Sequence, residues 1–408
     1  MERNDPRYQA YVEILKEELI PAMGCTEPIA LAYAAAKARE VLGVLPDSVQ
    51  LQVSGSIIKN VKSVIVPNTG HLKGMEAAVA AGIIAGSAEK ELEVISEVSE
   101  EKKSAIRDYL QTVPITIEHT EQGHVFDIVV TERCGQDYAR VRIADYHTNI
   151  CRIEKNGTVL YEVPLLDETV QEDARADRSL LNMQDIWDFA ETADLRDVAD
   201  LLERQIRYNN AIAEEGLLGD YGANIGRVLL TTYGNDVSNR AKAKAAAGSD
   251  ARMNGCELPV IINSGSGNQG ITCSVPLIEY AKELHSGKEK LYRALIISNL
   301  VAIHEKTGIG TLSAYCGAVS AGAGAGAGIV YLCGDGYQAA IHTVVNALAI
   351  VSGIVCDGAK ASCAAKIASS VDAALLGYNM YKCNQEFKGG DGICLLYTSP
   401  SPRDMRRS

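Results

Sequence analysis

The sequence contains few of the largest aromatic side chains. Its 408 residues include 3 Phe and 1 Trp, although 47% of the residues are hydrophobic. A chain with this apolar share forms a globular core, and without large rings the core has to be filled by Gly, Ala and Val. The composition therefore favours closely packed helices with small residues at their contacts.

The sequence also lacks clusters of Lys and Arg. Its formal net charge at pH 7 is −13. Nucleic acids and anionic membranes are bound through clustered positive charge, so both are excluded as partners. We expect the protein to act on a small molecule, either alone or as a homo-oligomer.

A secretion signal and a convincing membrane span are missing as well. The N-terminal segment has mixed charge and no apolar h-region. The most apolar run, 339–356, carries His342 and Asn346 and is predicted to be a buried helix. We therefore expect a cytoplasmic protein, whose 11 cysteines lie in a reducing environment and form no disulfides by default.

Nucleotide-binding signatures are likewise lacking. The loop NSGSGNQG at 263–270 has no Lys-Ser/Thr pair and does not match GxGxxG in a βαβ unit. It presents backbone N–H groups and the hydroxyls of Ser264 and Ser266 ahead of an apolar helix, as carboxylate sites do. A plain turn is the alternative.

What the sequence does contain is a suggestive set of cysteines. Cys316, Cys356 and Cys363 lie in the Gly- and Ala-rich C-terminal third, and Cys25 lies in a GCTEP turn. Thiolates hold iron–sulfur clusters, and a cluster with three protein ligands leaves one iron free as a Lewis acid. Ordinary buried cysteines without a metal are the alternative. Cys333 is the strongest competitor for a ligand role.

Periodicity predicts an α+β fold, in which a mainly helical catalytic body carries a smaller antiparallel β-containing module. Helical spacing covers 7–20, 28–43 and 73–86, and helices continue beyond 167 to about 377. Alternation predicts one or two strands over 48–66 and an antiparallel meander over 113–163. The predicted segments are 1–90, contributing to the catalytic body; 91–170, the β-rich module; 171–394, the helical iron–sulfur catalytic domain; and 395–408, a tail.

The predicted tail, LLYTSPSPRDMRRS, is rich in Pro, Ser and Arg and does not continue the preceding pattern. We expect it to be disordered. It also resembles translated adaptor read-through, so we expect it to be non-native and the native C-terminal segment to be missing.

Five long motifs are spread along residues 7–393. They are MGCTEPIALAYAAAKA (23–38), SGSIIKNVKSVIVPNTG (54–70), NSGSGNQG (263–270), HEKTGIGTLSAYCGAVSAGAGAGAG (304–328) and CDGAKASCAAKIASS (356–370). Together they resemble the L-cysteine desulfidase family, which is related to the alpha chain of iron–sulfur L-serine dehydratases. Those dehydratases carry a serine- and histidine-containing stretch in place of GCTEP.

The resemblance implies a [4Fe–4S] cluster with Cys316, Cys356 and Cys363 as ligands. It also implies that Cys25 is a reactive cysteine, acting as a general base or as a labile fourth ligand. The remaining candidates are assigned to binding a small amino-acid substrate, and they are Thr26, Asn68, Ser264, Ser266 and Asn268.

The expected activity is that of an iron–sulfur carbon–sulfur lyase that degrades L-cysteine to hydrogen sulfide, ammonia and pyruvate. An L-serine or L-threonine dehydratase on the same scaffold is the closest alternative. A non-catalytic cluster or zinc protein that senses metal or redox state is a third.

Overall fold

The computed structural model describes residues 1–62, 64–120, 124–163, 165, 176–310 and 313–388. A helical body carries a smaller sheet, which confirms the predicted α+β class. The helices are α1 (Pro6–Glu18), α2 (Thr26–Leu42), α3 (Gly55–Val61), α4 (Gly74–Ala85), α5 (Glu100–Thr112), α6 (Met183–Thr192), α7 (Ala199–Leu218), α8 (Ile225–Tyr233), α9 (Val237–Met253), α10 (Gly267–Glu283), α11 (Lys288–Ile309), α12 (Gly317–Cys333), α13 (Tyr337–Val351) and α14 (Ser362–Lys382). The strands are β1 (Pro21–Met23), β2 (Ser48–Val53), β3 (Ile115–His119), β4 (Asp127–Cys134), β5 (Asp137–Ala144), β6 (Ile150–Lys155), β7 (Thr158–Glu162) and β8 (Pro259–Ile261).

The larger sheet has the strand order β3-β2-β4-β5-β6-β7. From β4 to β7 each strand pairs antiparallel with the next, so the predicted meander is confirmed there. The meander prediction is wrong for β3, which pairs parallel with β2 at the sheet edge. A parallel pair needs a long crossover, and the connection through α3, α4 and α5 supplies it. The sheet is therefore mixed.

The strand prediction over 48–66 is correct only in its first half. β2 alternates between half-buried and buried residues, but α3 follows it directly. Ile57 and Val61 are buried four positions apart, which is the spacing of one helix face. Short apolar runs fit both periods, so alternation alone could not separate the two states.

Helix α12 lies at the centre of the helical body and contains the AGAGAGAG run. It packs against α10, α11, α13 and α14. A Cβ on Gly324 would lie 2.4 Å from the Ser298 carbonyl oxygen of α11, and one on Gly328 would lie 2.5 Å from Leu277 Cδ2 of α10. The missing side chains therefore allow neighbouring helices to approach closely.

Two apolar cores meet at the short antiparallel pair β1–β8. One core lies between α2, α4 and the sheet and includes Val260 and Ile271. The other lies among α1, α6 and α11 to α14 and includes Ile261. The loop 263–270, between β8 and α10, therefore lies where the sheet side and the helical body join.

Across the ranges described above, no helix combines the length and the apolar character that crossing a membrane requires. The run 339–356 forms much of α13, which ends at Val351. The predicted tail, 395–408, lies outside the described residues.

Candidate functional site

Four helices begin at residues that the sequence singles out. Cys25, Ser266 and Cys316 are the N-cap residues of α2, α10 and α12, and Cys363 is the second residue of α14. Helix N-termini expose backbone N–H groups and carry partial positive charge. Where several helix N-termini meet, they favour the binding of an anion, even in a protein whose net charge is −13.

Cys316 and Cys356 are brought together by backbone pairing. Tyr315 and Val355 form an isolated antiparallel bridge. On its two sides, Cys316 N donates to Ile354 O at 3.1 Å and Cys356 N donates to Ala314 O at 2.7 Å. Two segments that are distant in sequence therefore present their cysteines as neighbours.

Cys363 joins this pair from the first turn of α14. Its backbone N donates to Lys360 O at 2.9 Å, which closes the turn after Cys356. Burial raises the pKa values of Cys316 and Cys363, and the Cys356 thiol raises both further through space. The three half-buried thiols thus lie close enough to influence one another.

Cys25 lies against the same region. Its side chain is 1% exposed and packs with Val64, Met253 and Ala359, the last of these in the turn between Cys356 and Cys363. Burial raises the pKa of Cys25 to about 12, and Cys363 is among the groups that raise it further. Cys25 is therefore a protonated thiol at neutral pH in this structure.

The chemistry of this donor set fits an iron–sulfur cluster. All four cysteines are free thiols, and soft sulfur donors at helix N-termini suit an anionic cluster. Within the described part of the chain, no three Cys, His, Asp or Glu side chains are grouped tightly enough to hold a single metal ion. Cys316, Cys356 and Cys363 are candidate cluster ligands by donor type and by the backbone pairing and turn that bring their segments together.

The loop 263–270 begins with a tight turn. Asn263 N and Ser266 O, and Ser266 N and Asn263 O, exchange hydrogen bonds of 3.1 and 3.0 Å. Ser264 and Gly265 between them have φ values of 49° and 74°. Two successive positive φ values define a type I′ turn, which explains the glycine at the second position.

This loop connects the Cys25 turn with Cys316. Thr26 Oγ1 donates to Gly265 O at 3.0 Å. On the other side, a Cβ on Gly317 would lie 2.6 Å from the Gln269 side chain, so Gln269 lies directly against the start of α12. The predicted substrate loop and the predicted cluster ligands therefore belong to one site.

The three predicted carboxylate-binding side chains differ in their availability. Ser264 Oγ already donates to Asn263 Oδ1 at 2.9 Å. Asn268 Oδ1 accepts from Arg252 Nη1 at 3.1 Å. The Ser266 hydroxyl makes no capping hydrogen bond on α10. Among the described residues, Ser266 is thus the one of the three whose side chain is not recorded as holding the loop.

Asn68 lies behind the site. It is buried, and its Nδ2 donates to Ile95 O at 2.8 Å and contacts Met23 Sδ at 3.2 Å. The adjacent Pro67 packs against Gly24, since a Cβ on Gly24 would lie 2.8 Å from the proline ring. Asn68 therefore supports the turn that carries Cys25, and its amide nitrogen is already engaged.

Cys333, the competing ligand, lies at the far end of the helix that Cys316 begins. It is the last residue of α12. At a rise of 1.5 Å per residue over 17 residues, the backbones of Cys316 and Cys333 are roughly 26 Å apart. This separation removes Cys333 from the three-cysteine site.

Sequence reasoning missed Arg252, in the last turn of α9. Its side chain is 4% exposed, and it influences the pKa values of Cys25, Cys363 and His147. An arginine in an otherwise alanine-rich helix, AKAAAGSDARM, is a signal that could have been noticed.

His147 is the second missed residue, and it comes from the turn between β5 and β6. A Cβ on Gly265 would lie 3.2 Å from His147 Cε1, and His147 Nε2 is buried and finds no hydrogen-bond partner among the described residues. Burial lowers its pKa, which Glu27 partly opposes. The imidazole is therefore neutral at neutral pH. No local pattern marks a histidine in a β-turn as part of a distant helical site.

Two lysines, Lys366 and Lys306, lie close to Cys356. Lys366 of α14 donates to Val355 O at 3.0 Å and pairs with Asp357, so it fastens the residues on both sides of Cys356. Burial lowers the pKa of Lys306 of α11. The nearby Cys356 and Cys316 oppose this effect, so Lys306 lies close to both thiols. Positive side chains thus add to the helix N-termini around the thiols.

Sequence comparison identifies the relatives of this chain. A family model described as serine dehydratase alpha chain matches residues 89–396. The matched range includes the 263–270 loop and the three cysteines of the site, whereas Cys25 precedes it.

Full-length relatives carry the name UPF0597 protein. One from Desulfitobacterium hafniense (strain Y51) is 62% identical over 393 residues, covering 96% of this chain and 91% of the relative. One from Lachnoclostridium phytofermentans is 53% identical over 386 residues, covering 95% and 92%. One from Treponema denticola is 47% identical over 398 residues, covering 96% and 92%.

Proposed function

The chain belongs to the serine dehydratase alpha-chain family, and we propose that it is a lyase that removes the β substituent of a small L-amino acid, with L-cysteine as the substrate. The α-proton leaves, the Cα–H electron pair forms the Cα=Cβ bond, and the Cβ–S pair departs with sulfur as hydrosulfide. The resulting aminoacrylate tautomerises and hydrolyses to pyruvate and ammonia. The site therefore has to bind the carboxylate, hold a base and exclude water.

The cofactor in this proposal is a [4Fe–4S] cluster bound by Cys316, Cys356 and Cys363. When bound, it supplies an open iron site of Lewis-acid character that has affinity for sulfur. The surrounding helix N-termini and Lys366 stabilise the negative charge of the thiolates.

Cys25 is the observation that carries the choice of cysteine over serine. It occupies the N-cap of α2, beside Cys363. The iron–sulfur L-serine dehydratases carry a serine- and histidine-containing stretch in place of this GCTEP turn. Two roles fit Cys25, general base and fourth thiolate ligand. Both require the thiolate, and the α2 N-terminus is a local source of the compensating charge.

An L-serine dehydratase is the second candidate, and the family description favours it. The same elimination then releases hydroxide from Cβ. Hydroxide is a poorer leaving group than hydrosulfide. A paired assay separates the candidates on protein reconstituted with iron and sulfide without oxygen. Sulfide release from L-cysteine at a kcat/KM at least about tenfold above pyruvate release from L-serine supports the proposal, and the reverse order supports the dehydratase.

The ligand set is tested with Cys316→Ser, Cys356→Ser and Cys363→Ser. Each variant should lose the brown colour and most of its iron, because serine oxygen is a poor ligand for these clusters. Cys333→Ser is the matched control, since Cys333 lies at the opposite end of α12. Iron content at the wild-type level in all three site variants would show that other residues hold the metal.

Cys25→Ala separates the role of Cys25 from that of the other three. We expect turnover to fall by at least about a hundredfold while most of the iron remains, because three thiolates still anchor the cluster. Cys273→Ala serves as a control, because Cys273 is a fully buried cysteine between α10 and α11. A near wild-type rate in Cys25→Ala excludes both roles.

A further inference from the structure

Arg252 is a buried guanidinium without an acidic partner in the described part of the chain. It is 4% exposed. Nη1 donates to Asn268 Oδ1 at 3.1 Å and contacts Met253 Sδ at 3.4 Å, and both of these acceptors are neutral. Nε is buried and has no hydrogen-bond partner among the described residues.

A buried charge in this state is costly. Desolvation of a guanidinium is normally offset by a carboxylate, as Asp127 offsets Arg142 in the sheet with bonds of 2.9 and 2.8 Å. Glu27, an acidic residue of the same site, instead accepts from Asn60 Nδ2 at 2.9 Å and from Thr26 Oγ1 at 3.2 Å. Among the described residues Glu27 forms no ion pair with Arg252, which leaves the arginine available for another anion.

The position of Arg252 matches the predicted substrate loop. A Cβ on Gly267 would lie 2.2 Å from Arg252 Nε, so the first residue of α10 lies directly against the guanidinium. Asn268, which holds Nη1, is the next residue, and Ser266, with its uncapped hydroxyl, is the preceding one. The arginine charge, the α10 N-terminus and a hydroxyl thus come together, and this combination binds carboxylates.

We propose that Arg252 binds the α-carboxylate of the substrate, with Asn268 fixing the orientation of the guanidinium. The inference rests on the proposed function for the choice of an amino acid as ligand. The carboxylate supplies the negative charge that the described residues do not place beside Arg252. The site therefore selects free amino acids over amides and esters.

The test uses ligand binding, so it does not depend on turnover. L-alanine has no β leaving group and cannot be eliminated, and L-alaninamide differs from it by lacking the carboxylate. Dissociation constants measured on the reconstituted protein by ligand-observed NMR should favour L-alanine at least about tenfold in the wild type. Arg252→Gln should remove this preference. Arg39→Gln is the matched control, because Arg39 Nε is also buried without a partner but lies near Gly86, outside the site.

Gly267→Ala tests the same idea without removing the charge. The added methyl group occupies the space of Arg252 Nε and displaces the guanidinium, so we expect the preference for L-alanine to fall as in Arg252→Gln. If Arg252→Gln does not fold, the result with Gly267→Ala decides whether Arg252 binds the carboxylate. No preference in the wild type, or a preference retained in Gly267→Ala or in a folded Arg252→Gln protein, overturns the inference.

Iron content distinguishes carboxylate binding by Arg252 from the main alternative role of this residue. If Arg252 only balances the charge of Cys25 and Cys363, Arg252→Gln should lose iron and keep the preference for L-alanine, which also overturns the inference. If the protein binds L-alanine through Arg252 but eliminates neither L-cysteine nor L-serine, the proposed function fails and the carboxylate site stands. If L-cysteine turnover and its KM are unchanged in Arg252→Gln, the proposed function stands and the assignment of Arg252 to the carboxylate fails.

Discussion

The two sides of the loop 263–270 treat buried polar groups differently. On one side lies an amide layer in which side chains satisfy each other, formed by Gln205, Asn209, Asn263 and Asn299. Gln205 and Asn299 exchange hydrogen bonds of 3.0 and 2.8 Å, and Asn263 Nδ2 donates to Asn299 Oδ1 at 3.0 Å. Asn209 accepts from Ile261 N at 2.8 Å and donates to Ile261 O at 3.1 Å.

On the other side lies an open layer, in which each side chain keeps an unpaired atom. Its members are Arg252, His147, Gln269 and Asn60, with Nε, Nε2, Oε1 and Oδ1 respectively lacking partners in the described structure. Both layers are shielded from bulk water. The amide layer stabilises the loop, whereas the open layer retains donors and acceptors for a ligand. Burial alone therefore does not distinguish the two layers of this site, but hydrogen-bond saturation does.

The largest expected effect comes from breaking the amide layer. Asn299→Leu keeps the branched shape of the side chain but removes both hydrogen bonds that Gln205 exchanges with Asn299 and one that Asn263 donates, so we expect the free energy of unfolding to fall by about 2–5 kcal/mol. Urea unfolding of the purified protein measures it. Asn379→Leu, on the exposed face of α14, should change stability by less than about 0.5 kcal/mol. A loss below about 1 kcal/mol in Asn299→Leu would mean that the amide layer is not structural.

Glu305 in α11 calibrates the cost of one unpaired buried charge. Its Oε1 has no hydrogen-bond partner within the described ranges, and burial raises its pKa to about 7. Because this value lies above that of the unfolded chain, the folded state holds the proton more tightly. The stabilisation from this group is complete below about pH 4.5 and is lost as the pH rises to about 7, an effect of up to about 3 kcal/mol.

The corresponding variant is Glu305→Gln, which stays neutral at every pH. We expect it to raise the midpoint of thermal unfolding at pH 8 and to leave it nearly unchanged at pH 5. The exposed Glu101 provides the control, as Glu101→Gln should show no such difference. An equal shift at both pH values would assign the effect to packing.

The smallest expected effect distinguishes two serines of the same loop. Ser266→Ala removes a hydroxyl that is free for the substrate, so KM should rise by about tenfold with little change in stability. Ser264→Ala removes a donor to Asn263 Oδ1 in the amide layer, so it should reduce stability by about 1 kcal/mol and change KM less. Paired kinetics and unfolding measure both. The opposite result would exchange the roles of the two serines.

Local features of the fold were predictable from the sequence, and long-range pairing was not. The helical spacing over 7–20 and 28–43 corresponds to α1 and α2, and alternation found β4 to β7. The position of β3 beside β2 depends on a contact between residues far apart in the chain. Nothing in the local pattern of β3 specifies a parallel partner.

The candidate site divides in the same way. Cys25, Cys316, Cys356 and Cys363 were predictable because they lie in recognisable motifs. His147 and Arg252 were not predicted, because their importance depends on which groups fail to pair with them after folding. Hydrogen-bond saturation is a tertiary property that sequence patterns do not record.

The glycine-rich helix α12 also bears on the order in which the protein assembles. Each glycine in a helix interior costs about 1 kcal/mol relative to alanine, so the first half of α12 is weak by itself. It gains stability only when α10, α11, α13 and α14 surround it. Cys316, at its N-cap, therefore reaches its position late in folding. In the proposed enzyme, iron would therefore enter a body that is already built, unlike the zinc of small domains, where the metal drives folding itself.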